Sequence, residues 1–145
     1  MDASLERAIA LAALAHEGQV DKAGAPYILH SLRVMLKLQT TADRIVAVLH
    51  DVLEDCGWTL ERVRQEGFSE EIVAALDAVS RRPGEAYEEF ILRAAANEIG
   101  RRVKLADLED NSDMSRLPSV TEPDMVRLRK YRDAIEMLQG FERRV

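Results

Sequence analysis

Apolar residues recur at three- and four-residue intervals along most of the chain, and no stretch alternates strictly enough to make a strand. Leu5, Ile9, Ala12 and His16 predict an opening amphipathic helix over about residues 3–17, with Gly18 at its C-terminal stop. Residues 18–26 read as a loop punctuated by Gly24 and Pro26. A short helix follows from about Tyr27 to Leu38, with Ile28, Leu32, Met35 and Leu36 on one side and His30, Arg33 and Lys37 on another. Thr40, Thr41 and Asp43 start a helix that Gly57 stops. Thr59 and Ser69 cap two more, ending near Gln65 and Ser80, and residues 81–84 make a turn. Glu85 to about Asn97 and Ile99 to about Asp113 are the next two, with Gly100 a weak point in the second. After a loop, Pro123 opens a last helix to about Leu138, its inner stripe being Leu128, Tyr131, Ile135 and Leu138. Arg127, Arg129, Lys130 and Arg132 beside that stripe read as a solvated, salt-bridged face. The expected fold is all-α, one domain over residues 1–145 with about seven or eight helices.

One segment breaks the pattern. Residues 45–56 carry Ile45, Val46, Ala47, Val48, Leu49, Val52 and Leu53 around His50, Asp51, Glu54 and Asp55. A helix that apolar is buried over most of its circumference. Burying an imidazole and carboxylates costs several kcal/mol each unless something pairs with them, on the order of a lost ion-pair partner. A divalent cation accepts both a neutral His nitrogen and an Asp oxygen. His30 from the preceding helix and an acid from the segment 104–113, where Lys104, Asp107 and Asn111 share one face, can complete such a site.

Composition narrows the alternatives. With 145 residues, 47% apolar and 32% charged, the chain has the make-up of a soluble globular domain, and its 5% aromatic content favours helix over strand. A net charge of −6 argues against a nucleic-acid partner but permits a small anionic substrate held by local cations. The longest early apolar run, Ala8–Ala15, is too short to span a bilayer, so no membrane partner is expected. The single cysteine, Cys56, forms no internal disulfide and fits a cytoplasmic protein. His16, at the end of the first apolar stripe, reads as a core histidine anchoring the next loop.

The order His30, His50-Asp51, Asp107 resembles the H…HD…D signature of the HD superfamily of metal-dependent phosphohydrolases. More narrowly, residues 15–19 with 24–30, 49–55 and 103–111 resemble the hydrolase domain of RelA/SpoT enzymes and the stand-alone small alarmone hydrolases. The resemblance covers roughly residues 5–140 and implies a single HD-type helical domain. It also implies that His30, His50, Asp51 and Asp107 hold one divalent metal, manganese in the alarmone hydrolases, while Glu54 and Asp55 handle the attacking water. Lys22, Lys104 and Asn111 match positions that contact substrate phosphate or sugar. The implied reaction removes the 3′-pyrophosphate of ppGpp or pppGpp, giving pyrophosphate and GDP or GTP.

Elementary chemistry supports that set. Two neutral imidazoles and two carboxylates balance a divalent charge, and the mixed N/O donors suit Mn, Fe, Co or Zn. Two departures fall among the substrate positions. Where the alarmone hydrolases usually carry an Arg that helps hold guanine, this chain has Asp21, followed by Lys22. Beyond Asn111, their usual Arg and Thr are replaced by Asp113 and Met114, so that Arg81, Arg82 or Arg101 become the expected sources of the missing charge. The alternatives are hydrolysis of another nucleotide, such as NADPH, and a non-catalytic alarmone-binding domain. The length leaves no room for a synthetase domain, so hydrolysis alone is the expectation.

Overall fold

The computed structural model describes residues 2–143. Among them are eight helices of six residues or more, one four-residue helical turn and no strand. In order these are α1 (Leu5–Ala15), α2 (Ile28–Leu36), α3 (Thr41–Leu49), the turn α4 (Val52–Asp55), α5 (Leu60–Gln65), α6 (Glu70–Ala78), α7 (Tyr87–Ala96), α8 (Glu98–Asn111) and α9 (Glu122–Glu142). The expected all-α architecture is the one observed.

Hydroxyl and amide side chains start most of the helices, because the first backbone N–H groups of a helix have no partner within it. Ser4, Thr40, Thr59 and Ser69 cap α1, α3, α5 and α6, and Asn97 caps α8. Thr121 and Asp124 form a reciprocal capping box at α9, which puts Pro123 one place further into the first turn than expected. That helix also runs past Leu138 to Glu142, since Phe141 continues its apolar stripe against α7 and α8.

The core has two parts. The larger is centred on α3, whose Val46, Ala47, Val48 and Leu49 are wholly buried against α1, α2, α6 and α8. The smaller joins α7, α8 and α9 through Phe90, Ile91, Leu108, Ala134 and Leu138. α8 belongs to both, with Val103 and Ala106 facing one and Leu108 the other. Between those apolar rows lies the polar strip of Lys104, Asp107 and Asn111.

The segment 45–56 differs from expectation. It is not one helix: α3 stops at Leu49 and α4 resumes at Val52, with His50 and Asp51 in the turn between. The cause is local. His50 Nδ1 donates to the Ala47 carbonyl at 2.5 Å, and the His50 backbone N–H reaches the same carbonyl at 3.4 Å. An i to i−3 bond tightens the chain and ends the regular α pattern.

Leu49 is fully buried, and Leu36 is 67% exposed. Leu49→Ala is expected to cost about 2–5 kcal/mol in chemical denaturation, whereas Leu36→Ala stays within about 0.5 kcal/mol.

Candidate active site

The turn at His50–Asp51 solves a geometric problem. Adjacent residues on an unbroken helix point about 100° apart. Here His50 Nε2 and Asp51 Oδ2 are 3.0 Å from each other. α2 brings His30 to the same point, its Nε2 lying 3.6 Å from Asp51 Oδ2 and 3.0 Å from Asp107 Oδ1. Asp107 comes from α8, and His50 Nε2 is 3.2 Å from the same Oδ1. One potential ligand atom from each of His30, His50, Asp51 and Asp107 therefore falls within 4.8 Å of every other.

The surroundings orient these atoms. A carbonyl only accepts, so His50 Nδ1 carries a proton for Ala47, and this fixes the ring with Nε2 facing the cluster. His30 Nδ1 donates to Asp110 Oδ2 at 2.6 Å, which likewise aims its Nε2 at the cluster. The same device, a carboxylate or carbonyl behind a ligating imidazole, recurs in metal sites. Tyr27 donates to Asp51 Oδ2 at 2.6 Å, and Lys104 and Asn111 donate to Asp107 at 2.9 and 3.2 Å. Lys104 is thus buried on Asp107, with its ammonium 4.8 Å from the centre of the Phe90 ring.

Electrostatics follow from packing so many charges out of water. Burial pulls the His50 imidazole down, yet Asp51 and Asp107 carry it well above its ordinary range. Asp107 is pushed up by burial, but Lys104, His50 and His30 hold it well below the usual carboxylate range. Glu54 and Asp55, one turn past the pair, go the other way. Both residues are exposed, yet partial desolvation and the Asp51 charge raise both, although Glu54 Oε1 accepts the Arg81 backbone N–H at 2.5 Å.

Beside the cluster opens a cleft of about 500 Å³ whose walls include His30, Lys22, Asn111, Arg33, Arg116 and Arg127. The expected cations Arg81, Arg82 and Arg101 do not line it. Arg81 and Arg82 are drawn to Glu85 and Asp77, and Arg101 is buried against Glu142 and the Ala95 carbonyl. Arg127 is no mere solvated residue either: it faces the cleft and pairs with Asp124. His16 is buried as expected, its Nδ1 donating to Gln19 Oε1 at 2.7 Å, and is not part of the cluster. Cys56 is half-buried against the main core.

Sequence reasoning missed Asp110, Tyr27, Arg33 and Arg116. The signal for the first was present. His30 and Arg33 are three apart on α2, as are Asp107 and Asp110 on α8, and the two rungs meet: Arg33 donates to Asp110 at 2.8 and 3.1 Å.

An all-α domain with a buried His/Asp cluster at a helix break, opening on a cleft rich in Arg and Lys, has the parts of a metal-binding hydrolase-type domain. The family described as HD domain matches residues 8–111, and the chain belongs to that family. A guanosine-3′,5′-bis(diphosphate) 3′-pyrophosphohydrolase of Aquifex aeolicus is 34% identical over 119 residues, which is 74% of this chain and 17% of that protein. A probable GTP pyrophosphokinase of Mycobacterium leprae is 29% identical over 97% of this chain and 19% of its own length. The chain thus spans under a fifth of these relatives. Among solved structures, a metazoan SpoT orthologue described as hydrolysing ppGpp superposes with a TM-score of 0.79 at 22% identity, covering 97% of this chain and 88% of that one. That likeness establishes a shared fold.

An HD domain implies a divalent metal, and the donor set fits one: two imidazole Nε2 atoms and two carboxylates, all but Asp51 buried, facing one point. Asp110→Asn is expected to weaken divalent-metal binding by about 10–100-fold without unfolding the protein. A metal titration alongside a circular dichroism melt measures both.

Proposed function

We propose that this protein is a metal-dependent phosphohydrolase that removes the 3′-pyrophosphate of guanosine alarmones, converting (p)ppGpp and water to GDP or GTP and pyrophosphate. The convergence of His30, His50, Asp51 and Asp107 carries the reading. The activity for which the Aquifex aeolicus relative is named supplies the substrate class.

In this reading those four residues hold the cation, with Mn²⁺ the ion of choice and Zn²⁺, Fe²⁺ or Co²⁺ compatible with the same donors. When bound, a divalent ion polarises a phosphoryl oxygen and makes water a usable nucleophile near neutral pH. The rest falls to the chain's own groups. Lys104 and Asn111 keep Asp107 ionised and fixed, and Tyr27 does the same for Asp51. Lys22 and Arg127, on the cleft wall, meet the phosphate charge of the substrate.

Glu54 and Asp55 divide the proton work. With Oε1 occupied by the Arg81 N–H, Glu54 offers Oε2 as the proton donor to the departing 3′-oxygen, and partial desolvation with the Asp51 charge raises its affinity for that proton. Asp55 takes the proton of the attacking water. Every proton is then accounted for at a named carboxylate. No helix among the described residues is long and apolar enough to cross a membrane, and a small diffusible nucleotide is the partner this site suits.

Pyrophosphate release from ppGpp and pppGpp, set beside phosphate release from NADPH, in Mn²⁺ tests the reading. Release from the guanosine tetraphosphate is expected, with His50→Ala losing it and Glu54→Gln falling by about 10²–10⁴-fold in kcat. Full activity in His50→Ala, or turnover of NADPH alone, sinks it.

A further inference from the structure

The cleft wall holds three acids besides the metal cluster: Asp21, Asp113 and Asp124. Two are fully engaged. Asp113 accepts from Ser115 through Oδ1 and from Arg116 through Oδ2. Asp124 accepts from the Thr121 backbone and hydroxyl through Oδ2 and from Arg127 through Oδ1. Asp21 is different. Its Oδ1 takes both the Ala23 and Ala25 backbone N–H groups, at 2.9 and 3.0 Å, while no donor among the described residues reaches Oδ2. Arg33, on the same cleft wall, donates to Asp110 through Nε and Nη2.

The result is a carboxylate held through Oδ1 on a residue that lines the cleft, with Oδ2 unpaired among the described residues. The same cleft is lined by the apolar residues Val20, Met114 and Leu117, which suit the faces of a flat ring. The cations Lys22 and Arg127 and the imidazole of His30 line the same cleft, so one nucleotide can place its phosphates among them and its base beside Asp21. A bare carboxylate oxygen is acceptor-only. It therefore selects a ring edge that carries hydrogen-bond donors.

We propose that Asp21 is the specificity-determining residue of the base site, its Oδ2 accepting from the N1–H and 2-amino edge of guanine. Adenine presents at that edge an N1 lone pair and a C–H, which a carboxylate repels. This rests on the guanosine reading of the substrate, but the contact can be tested apart from the reaction.

Asn at position 21 inverts the chemistry while keeping the turn. The two backbone N–H groups require an acceptor, so the amide oxygen takes the place of Oδ1 and the NH₂ takes the place of Oδ2. The exposed atom changes from acceptor to donor. Calorimetric titration of GDP and ADP into the Mn²⁺-loaded wild type and Asp21→Asn reads this directly. The wild type is expected to bind GDP about tenfold or more tightly than ADP, and Asp21→Asn to lower that ratio by about tenfold or more, with ADP affinity kept or improved. The ratio is internal to each protein, so partial unfolding of the variant lowers both affinities and leaves it unchanged. Equal ratios in the two proteins, no discrimination in the wild type, or no binding of either nucleotide overturns the proposal. Base discrimination without pyrophosphate release from ppGpp would instead sink the proposed reaction and leave the Asp21 contact standing. Release with a base ratio indifferent to position 21 would do the reverse.

Discussion

Asp107 is the group on which the site depends. It is buried between two apolar cores, and both its oxygens are in use: Lys104 donates to one, while Asn111 donates to the other, which also faces His30 and His50. A carboxylate this far from water survives as an anion only through such partners. Lys104 and Asn111 sit three and four residues away on the same helix, so α8 stabilises its own charge before any other element arrives. Asp110, one turn on, then fixes His30 from behind. The spacing along α8 sets the position of the cluster and its orientation together.

Much of this was legible beforehand. The helices could be placed because caps are chemical signals of a few atoms: Thr59 and Ser69 start α5 and α6 as expected. His50 and Asp51 were legible because polar residues inside an apolar run demand a partner, whereas His30 and Asp107 were singled out as a set by the resemblance to the HD signature. The helix break at His50 was not, because it depends on where one imidazole finds a carbonyl, and periodicity carries no such information. Asp110 was overlooked among neighbouring acids since its role appears only when α2 lies across α8. The cleft cations were misplaced for the same reason. Arg81, Arg82 and Arg101 looked free in sequence but each finds a nearer anion or carbonyl, while Arg33 and Arg127 come from elements whose facing could not be read from the chain alone.

The cleft is mixed in sign rather than simply basic. Arg33, Arg116 and Arg127 each sit against an aspartate, which lowers the net field but fixes the geometry of the guanidinium groups. Fixed donors cost less conformational entropy on ligand binding than free ones. A chain of net charge −6 can in this way offer an anion a preorganised surface without a broad positive patch.

The distances along the chain have a kinetic meaning. His30 and Asp107 are 77 residues apart, and His30 and Asp110 are 80 apart. Closing a loop of that length costs entropy before any contact returns it. The helices around α3 can collapse early through nearer contacts, with His30, His50 and Asp51 already in place. The cluster is incomplete until α8 docks, so metal competence requires that long-range contact to have formed and reports on it.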